Sequence, residues 1–233
     1  MKKNNIFWIS FSDLMTSLFF ILLVAYVITY VDLMKKNKEI IEDNEELQKK
    51  LRVYNLVEEN LKPLKENTSL FQYEENYKRF TLGFRVAFGT GMYKIKDGEL
   101  NNYDSTAIKI RQVGRQLQYT IDKLIYEQRN SESMASVSYL VIIAGYASHL
   151  LNGEQIDDYE LSYKRAYNLW NYWRSYGIDF ESDKYKDIID LQISGNGWGG
   201  VGRFPRDPEN NMENETKNQR FIIQIIPKIG KTD

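Results

Sequence analysis

Asp13 is the only ionisable carboxylate or amine between Ile6 and Val31, in a run otherwise made of apolar and hydroxyl-bearing residues. Roughly 20 apolar residues cross a bilayer as a helix, so the run predicts a transmembrane helix over 6–31. A carboxylate in lipid costs at least ~2.5 kcal/mol even on lenient insertion scales, and such residues usually face a protein interior or wet cavity where they bind ions or relay protons. Taking a carboxyl out of water favours its neutral form, which brings proton uptake and release within reach. Helical spacing puts Ser10, Thr16 and Ser17 at i−3, i+3 and i+4 from Asp13, on one polar stripe. These four are the candidates to bind an ion or relay a proton, and no cofactor is expected.

The rest of the composition mostly excludes. The chain has 233 residues, no cysteine and one histidine, which removes disulfide frameworks, thiol nucleophiles, Cys-ligated zinc and multi-His metal sites. Lys+Arg 31 against Asp+Glu 32 gives a net charge of −1, so no global basic excess marks a nucleic-acid binder. No acid pair and no nucleophile with an adjacent base emerges, so an enzyme is not expected.

The elements that must position Asp13 follow from the flanks. Tyr26 and Tyr30 are placed as interfacial anchors, and the run lacks the small-residue cleavage site of a signal peptide, so an uncleaved signal anchor is expected. Lys2 and Lys3 before it face Lys35, Lys36 and Lys38 after it, so charge alone does not orient it. Beyond it, Leu33, Ile40, Leu47, Tyr54 and Leu61 recur every seven residues, with Asn37, Asn44 and Leu51 at the companion position. That spacing predicts a coiled-coil linker over 32–75, and polar Asn within a seam favours a parallel homodimer. Glu58 interrupts the seam near Pro63, where the helix should end or kink.

From about residue 80 the period changes. Strand-like runs at 85–88, 137–144, 188–193 and 221–226 alternate with helical spacing over 105–127 and 160–176, with Gly177 placed to stop the second helix. The expected order is β-α-β-α-β-β: an α+β fold with helices on one face of a mixed sheet, over 80–228.

The string Phe7-Trp8-Ile9-Ser10-Phe11-Ser12-Asp13-Leu14-Met15-Thr16 resembles the start of the transmembrane helix of MotB-type stator subunits, closest to the ZorB subunits of Zorya anti-phage systems. In that family the aspartate at the position of Asp13 couples H⁺ or Na⁺ flow to motion of a MotA-like (ZorA-like) membrane partner. The resemblance also implies a bacterial inner-membrane protein, single-pass, with a cytoplasmic N-terminal tail over 1–5 and the C-terminal domain on the periplasmic or wall side. Flagellar MotB subunits usually carry a short amphipathic plug after the membrane; the charged heptad run here does not look like one.

Residues 80–228 resemble the OmpA-like peptidoglycan-binding domain. That family has Gly-His-Thr-Asp at a strand end, Asn-x-x-Leu-Ser-x-x-Arg-Ala opening a helix, Gly-x-Gly after the third strand and Asn-Arg-Arg before the last. This chain reads Gly145-Tyr146-Ala147-Ser148, Asp158-Tyr-Glu-Leu161-Ser162-Tyr-Lys-Arg165-Ala166, Gly195-Asn196-Gly197 and Asn218-Gln219-Arg220. The resemblance implies wall-peptide binding through Arg165, Asp158, Leu161, Ser148, Asn218 and Arg220. Arg165 can offer a bidentate guanidinium to a peptide carboxylate near a helix N-terminus; the bland alternative is a surface arginine paired with Glu160 or Asp157. Ser148 stands where the family's aspartate contacts an ammonium group, and Asp158 where Asn is usual.

Other features weigh less. Gly195-x-Gly197-x-x-Gly200 matches a dinucleotide fingerprint by letter, but Pro205 and Pro208 follow where a phosphate-binding helix should run. His149 could line the cleft, and the aromatics Tyr163, Tyr167, Trp170, Tyr172 and Trp173 read better as core than as a sugar platform. Three functions remain open: a defence motor subunit, a flagellar stator subunit, and a passive wall tether in which Asp13 only packs. The expected partners are MotA/ZorA-like subunits, a second copy of the chain, peptidoglycan and the membrane.

Overall fold

The structure, a computed structural model, describes residues 4–131, 134, 136–148, 158–205 and 211–230, with side chains described from Trp8 and not for residues 211 and 212. It divides into two compact units, Met1–Arg52 and Val53–Asp233. Helix α1 (Asn4–Glu66) belongs to the first unit as far as Arg52. From Trp8 it holds an apolar stretch with a hydropathy of 2.3, long enough to cross a membrane, and none of that stretch is buried. The side chains Leu33, Ile40, Leu47 and Leu51 also stand exposed.

The last turns of α1 behave differently. Val53, Val57, Leu61 and Leu64 are buried in the core of the second unit. The sequence reading carries the heptad seam to Leu61 and the linker to 75, and the structure corrects both. Leu61 is committed to its own chain's core, and β1 (Phe71–Glu74) starts before the expected linker ends. Pro63 lies inside the helix rather than at its end; the chain leaves the helix only after Glu66, with Asn67 N–H still donating to the Pro63 carbonyl. Burial of Leu61 and Leu64 around the proline holds that last turn.

Strand β1 forms a hairpin with β2 (Arg79–Leu82) through a 3₁₀ turn at Glu75–Tyr77 and Lys78 at φ 48°. The expected strand at 85–88 is not one: Phe88 makes only a single bridge, to Leu100. The charged stretch Glu74-Glu-Asn-Tyr-Lys-Arg79 masks the true hairpin, whose buried Phe71 and Phe80 meet edge to face. Then come α2 (Tyr103–Asn130), β3 (Val137–Gly145), α3 (Asp158–Ser175), β4 (Ile189–Gly195), the short α4 (Asn211–Lys217) and β5 (Phe221–Ile229). The sheet order is β1-β2-β5-β3-β4; β3 and β4 are parallel and the other neighbours antiparallel.

Val137, Tyr139, Val141 and Ile143 of β3 alternate into the main core, where they meet Ile110, Val113, Leu117 and Ile121 of α2 and Leu169, Trp170 and Trp173 of α3. Alternation along a strand sends these residues to one face, so both long helices cover that face. The fold is α+β, with a mixed sheet as expected. Two glycines set how close α3 lies. A Cβ on Gly145 would stand 2.1 Å from the Ser162 carbonyl oxygen, and one on Gly195 would stand 2.5 Å from the Tyr163 nitrogen. Gly177, at φ +74°, ends α3 through its N–H to Arg174 and the Ile178 N–H to Trp173.

Candidate functional site

Around Asp13 the chain supplies a shallow hollow lined by Trp8, Ile9, Ser10, Ser12, Asp13 and Thr16. Of the predicted stripe, Ser10, Asp13 and Thr16 share it. Two of the stripe's hydroxyls are engaged with the helix backbone: Thr16 Oγ1 donates to the Ser12 carbonyl at 2.8 Å and Ser17 Oγ to the Asp13 carbonyl at 2.8 Å. Such back-bonding satisfies a hydroxyl within the helix itself. Among the described residues no side chain hydrogen-bonds the Asp13 carboxylate. Trp8 and Phe11 meet edge to face at 6.3 Å, and Tyr26 stacks on Tyr30 at 6.2 Å.

The second site grows from the first turns of α3. Arg165 is 3% exposed, so it is not the surface arginine of the sequence reading. Its Nε donates to the Met92 carbonyl at 3.1 Å and its guanidinium lies 4.6 Å from the centre of the Phe88 ring. Its Nη1 is buried with no hydrogen-bond partner among the described residues. Burial pulls Arg165 down to about 10, and the charge of Asp158 opposes that shift without cancelling it. Glu160, the alternative partner, instead pairs with Lys164 at 2.6 Å. The guanidinium is thus oriented, desolvated and one partner short. Such a group gains most from a carboxylate delivered to it.

The remaining predicted residues divide into two sets. Phe88 and Gln219 connect Ser148 to Arg165: Gln219 Oε1 accepts from the Phe88 N–H at 3.2 Å and its Nε2 donates to Ser148 Oγ at 3.0 Å. Asp158, Arg165, Ser148 and buried Leu161 therefore belong to one neighbourhood. Asn218 and Arg220 serve another. Asn218, fully buried, accepts from the Phe204 N–H at 2.9 Å and donates to the Phe204 carbonyl at 3.2 Å, so its amide holds the loop after β4. Arg220 donates to Glu74 at 2.7 Å and to the Gly202 carbonyl at 2.5 Å. His149 and Asp157 lie outside the described residues.

Sequence reasoning missed the supports. Glu74 holds Arg79 at 2.6 Å as well as Arg220, and Arg79 reaches the Val201 carbonyl at 2.9 Å. Arg203 joins the Ala147 carbonyl at 3.0 Å to Glu215 at 2.7 Å. Together these cations fasten the loop between β4 and α4 over the end of β3. Glu99 receives the N–H groups of Tyr93 at 3.3 Å and Lys94 at 2.9 Å and so orders the loop whose Met92 carbonyl meets Arg165. Burial works against its charge, yet these bonds and Lys96 hold its carboxyl below the usual carboxylate range. The one local signal was Gly89-Thr-Gly91, which marks the loop but not its contact. Ser162, within the helix-opening motif, also has a structural role: its hydroxyl donates to the Tyr159 carbonyl and accepts the Gly197 N–H, both at 2.9 Å.

No family model matches the chain, and no curated protein matches it either. Among solved structures it is similar to the periplasmic domain of Helicobacter pylori MotB, at 17% identity and TM-score 0.35, over 67% of this chain and 87% of that one. It is similar to a MotB-like protein from Desulfovibrio vulgaris at 16% identity and TM-score 0.37, over 78% of this chain and 93% of that one. A third is an outer-membrane protein from Borrelia burgdorferi, at 19% identity and TM-score 0.36, over 67% and 96%. At these identities and scores the matches assign the chain to no family.

Proposed function

We propose that the chain is a single-pass subunit of an ion-driven membrane motor anchored to peptidoglycan, ZorB-like, acting with a MotA-like (ZorA-like) partner in anti-phage defence. The observation that carries this is Asp13: one acid in a fully exposed apolar helix, with no hydrogen-bonding side chain of its own chain among the described residues. An acid that costly is retained where it exchanges a proton or binds a cation. The sequence around it, Phe7 to Thr16, supports the stator reading, and the helix is taken to enter from the cytoplasmic side. The exposed seam Leu33, Ile40, Leu47 and Leu51, with Asn37 and Asn44, supports a parallel homodimer. Buried Arg165 with its unpartnered Nη1 supports capture of a wall-peptide carboxylate, with Asp158 nearby for an ammonium group. The role is mechanical rather than enzymatic.

The test is Asp13→Asn. The amide keeps the shape and removes a charge that lipid disfavours, so membrane insertion, dimerisation and wall binding persist while ion-coupled activity disappears completely. Asp13→Glu retains part of it. Assembly and anti-phage protection are compared for both variants in the same cells. Full activity of Asp13→Asn leaves a passive tether; activity restricted to swimming assays makes the chain a flagellar stator subunit.

A further inference from the structure

Away from the Arg165 neighbourhood, one open groove joins the turn after α1 to the solvent side of α2. Asn67 and Ser69 form one wall, and Arg111, Gln112, Arg115 and Gln116 the other. Its described lining includes no carboxylate. Arg111 lies over Tyr176, 4.9 Å from the ring centre, and meets no carboxylate or carbonyl among the described residues. A guanidinium that meets a ring and no acceptor keeps its N–H groups for a ligand, and its fork can receive an oxyanion through two parallel bonds. Arg115, one turn later, is held in place by the Tyr176 carbonyl at 2.8 Å and Gln118 Oε1 at 3.2 Å. It fixes a second positive charge at the groove.

Four arginines of this unit, Arg79, Arg174, Arg203 and Arg220, are ion-paired, whereas Arg111 and Arg115 have no ion pair among the described residues. Like charges at i and i+4 on a helix repel, so Arg111 and Arg115 carry a standing cost that an anion between them removes. The further donors are carboxamides. Ser69 Oγ donates to Asn67 Oδ1 at 2.7 Å, which leaves the Asn67 amide nitrogen as a donor beside those of Gln112 and Gln116. Donors that converge from two walls suit a tetrahedral anion with several oxygens better than a planar carboxylate. We infer that this groove is a phosphate-binding site, with Arg111 as the principal contact and Arg115 as its fixed neighbour. The phosphate is carried either by a soluble ligand or by a lipid headgroup.

The experiment uses the full chain in nanodiscs. In phosphatidylcholine discs, calorimetric titration with inorganic pyrophosphate shows saturable binding that Arg111→Gln weakens about tenfold or more, as loss of a charge-assisted hydrogen bond does. Arg111→Lys, which keeps the charge and loses the fork, falls in between and guards against a folding artefact in the Gln variant. In phosphatidylglycerol discs without pyrophosphate, protection of residues 108–120 against hydrogen exchange that vanishes in Arg111→Gln identifies a headgroup as the source. The inference is overturned if neither signal is seen, or if either is the same size in wild type and Arg111→Gln.

Discussion

Two parts of the molecule set an ionisable group among apolar side chains, and they surround it in opposite ways. On α1, Asp13 sits among exposed Leu14, Met15, Trp8 and Phe11, and no side-chain donor of the chain is turned to its carboxylate among the described residues. In the second unit, Arg165 lies inside the fold with a carbonyl, an aromatic face and a nearby carboxylate, yet one N–H group is left over. Among the described residues Asp13 has no compensating side chain, whereas Arg165 is nearly but not wholly compensated. Incomplete compensation at a defined atom separates both from Glu74, whose carboxylate is saturated by Arg79 and Arg220. The rule to test is that a charge held by an ionic partner is a structural part and a charge without one binds a ligand. Arg220, whose Nε is also buried without a partner among the described residues, is ion-paired to Glu74 and falls in the structural set.

The largest effect tests that rule from the structural side. Glu74→Gln leaves Arg79 and Arg220 buried without their shared counter-charge and is expected to lower stability by about 3–5 kcal/mol, read as a lower midpoint in denaturant unfolding. A loss under about 1 kcal/mol would mean that Glu74 is no more structural than the other two. Next is Asp13→Leu, which removes a charge worth at least ~2.5 kcal/mol against insertion, so the inserted fraction in a glycosylation-mapping or protease-protection assay rises or stays complete. A drop in insertion would show that the acid is compensated within the membrane-spanning helix itself.

Arg165→Met separates function from stability in one protein. Replacing a buried, incompletely paired cation by an apolar side chain of similar length leaves stability equal or higher. Sedimentation with peptidoglycan falls by tenfold or more, since a charge-assisted hydrogen bond is worth ~1.5–3 kcal/mol. Unchanged sedimentation with lowered stability would move Arg165 to the structural class of Glu74. The smallest effect is pH-dependent. The folded carboxyl of Glu99 lies below its ordinary 4.5, so the stability it contributes is present above pH 4.5 and is lost as the pH falls through the folded value. Hydrogen exchange in the loop 92–99 should quicken over that acid range in wild type, and Glu99→Gln should remove the pH dependence.

Much of this was legible in the chain. The apolar run with its one acid, the helices α2 and α3 and the strands β3, β4 and β5 follow from local periodicity, because burying one face imposes a repeat of about 3.6 or 2 on neighbouring residues. The Gly145 and Gly195 signals likewise have a local reason in the close approach of α3. Periodicity could not tell which surface an apolar repeat meets. Leu61 continues the heptad of Leu47 and Tyr54, yet it packs in the core rather than on a second helix. Nor could residue type tell how deep a cation lies: Arg165 and Arg174 belong to one helix, and only the loop carrying Phe88 and Met92 covers the first. Glu74 and Arg220 are 146 residues apart, and their pairing exists because the sheet sets the β1–β2 hairpin against β5 through β2. Local sequence determines which face of an element is apolar and where an acid enters a membrane helix. Burial and pairing are sums over long-range contacts, so the chain decides them only when it closes.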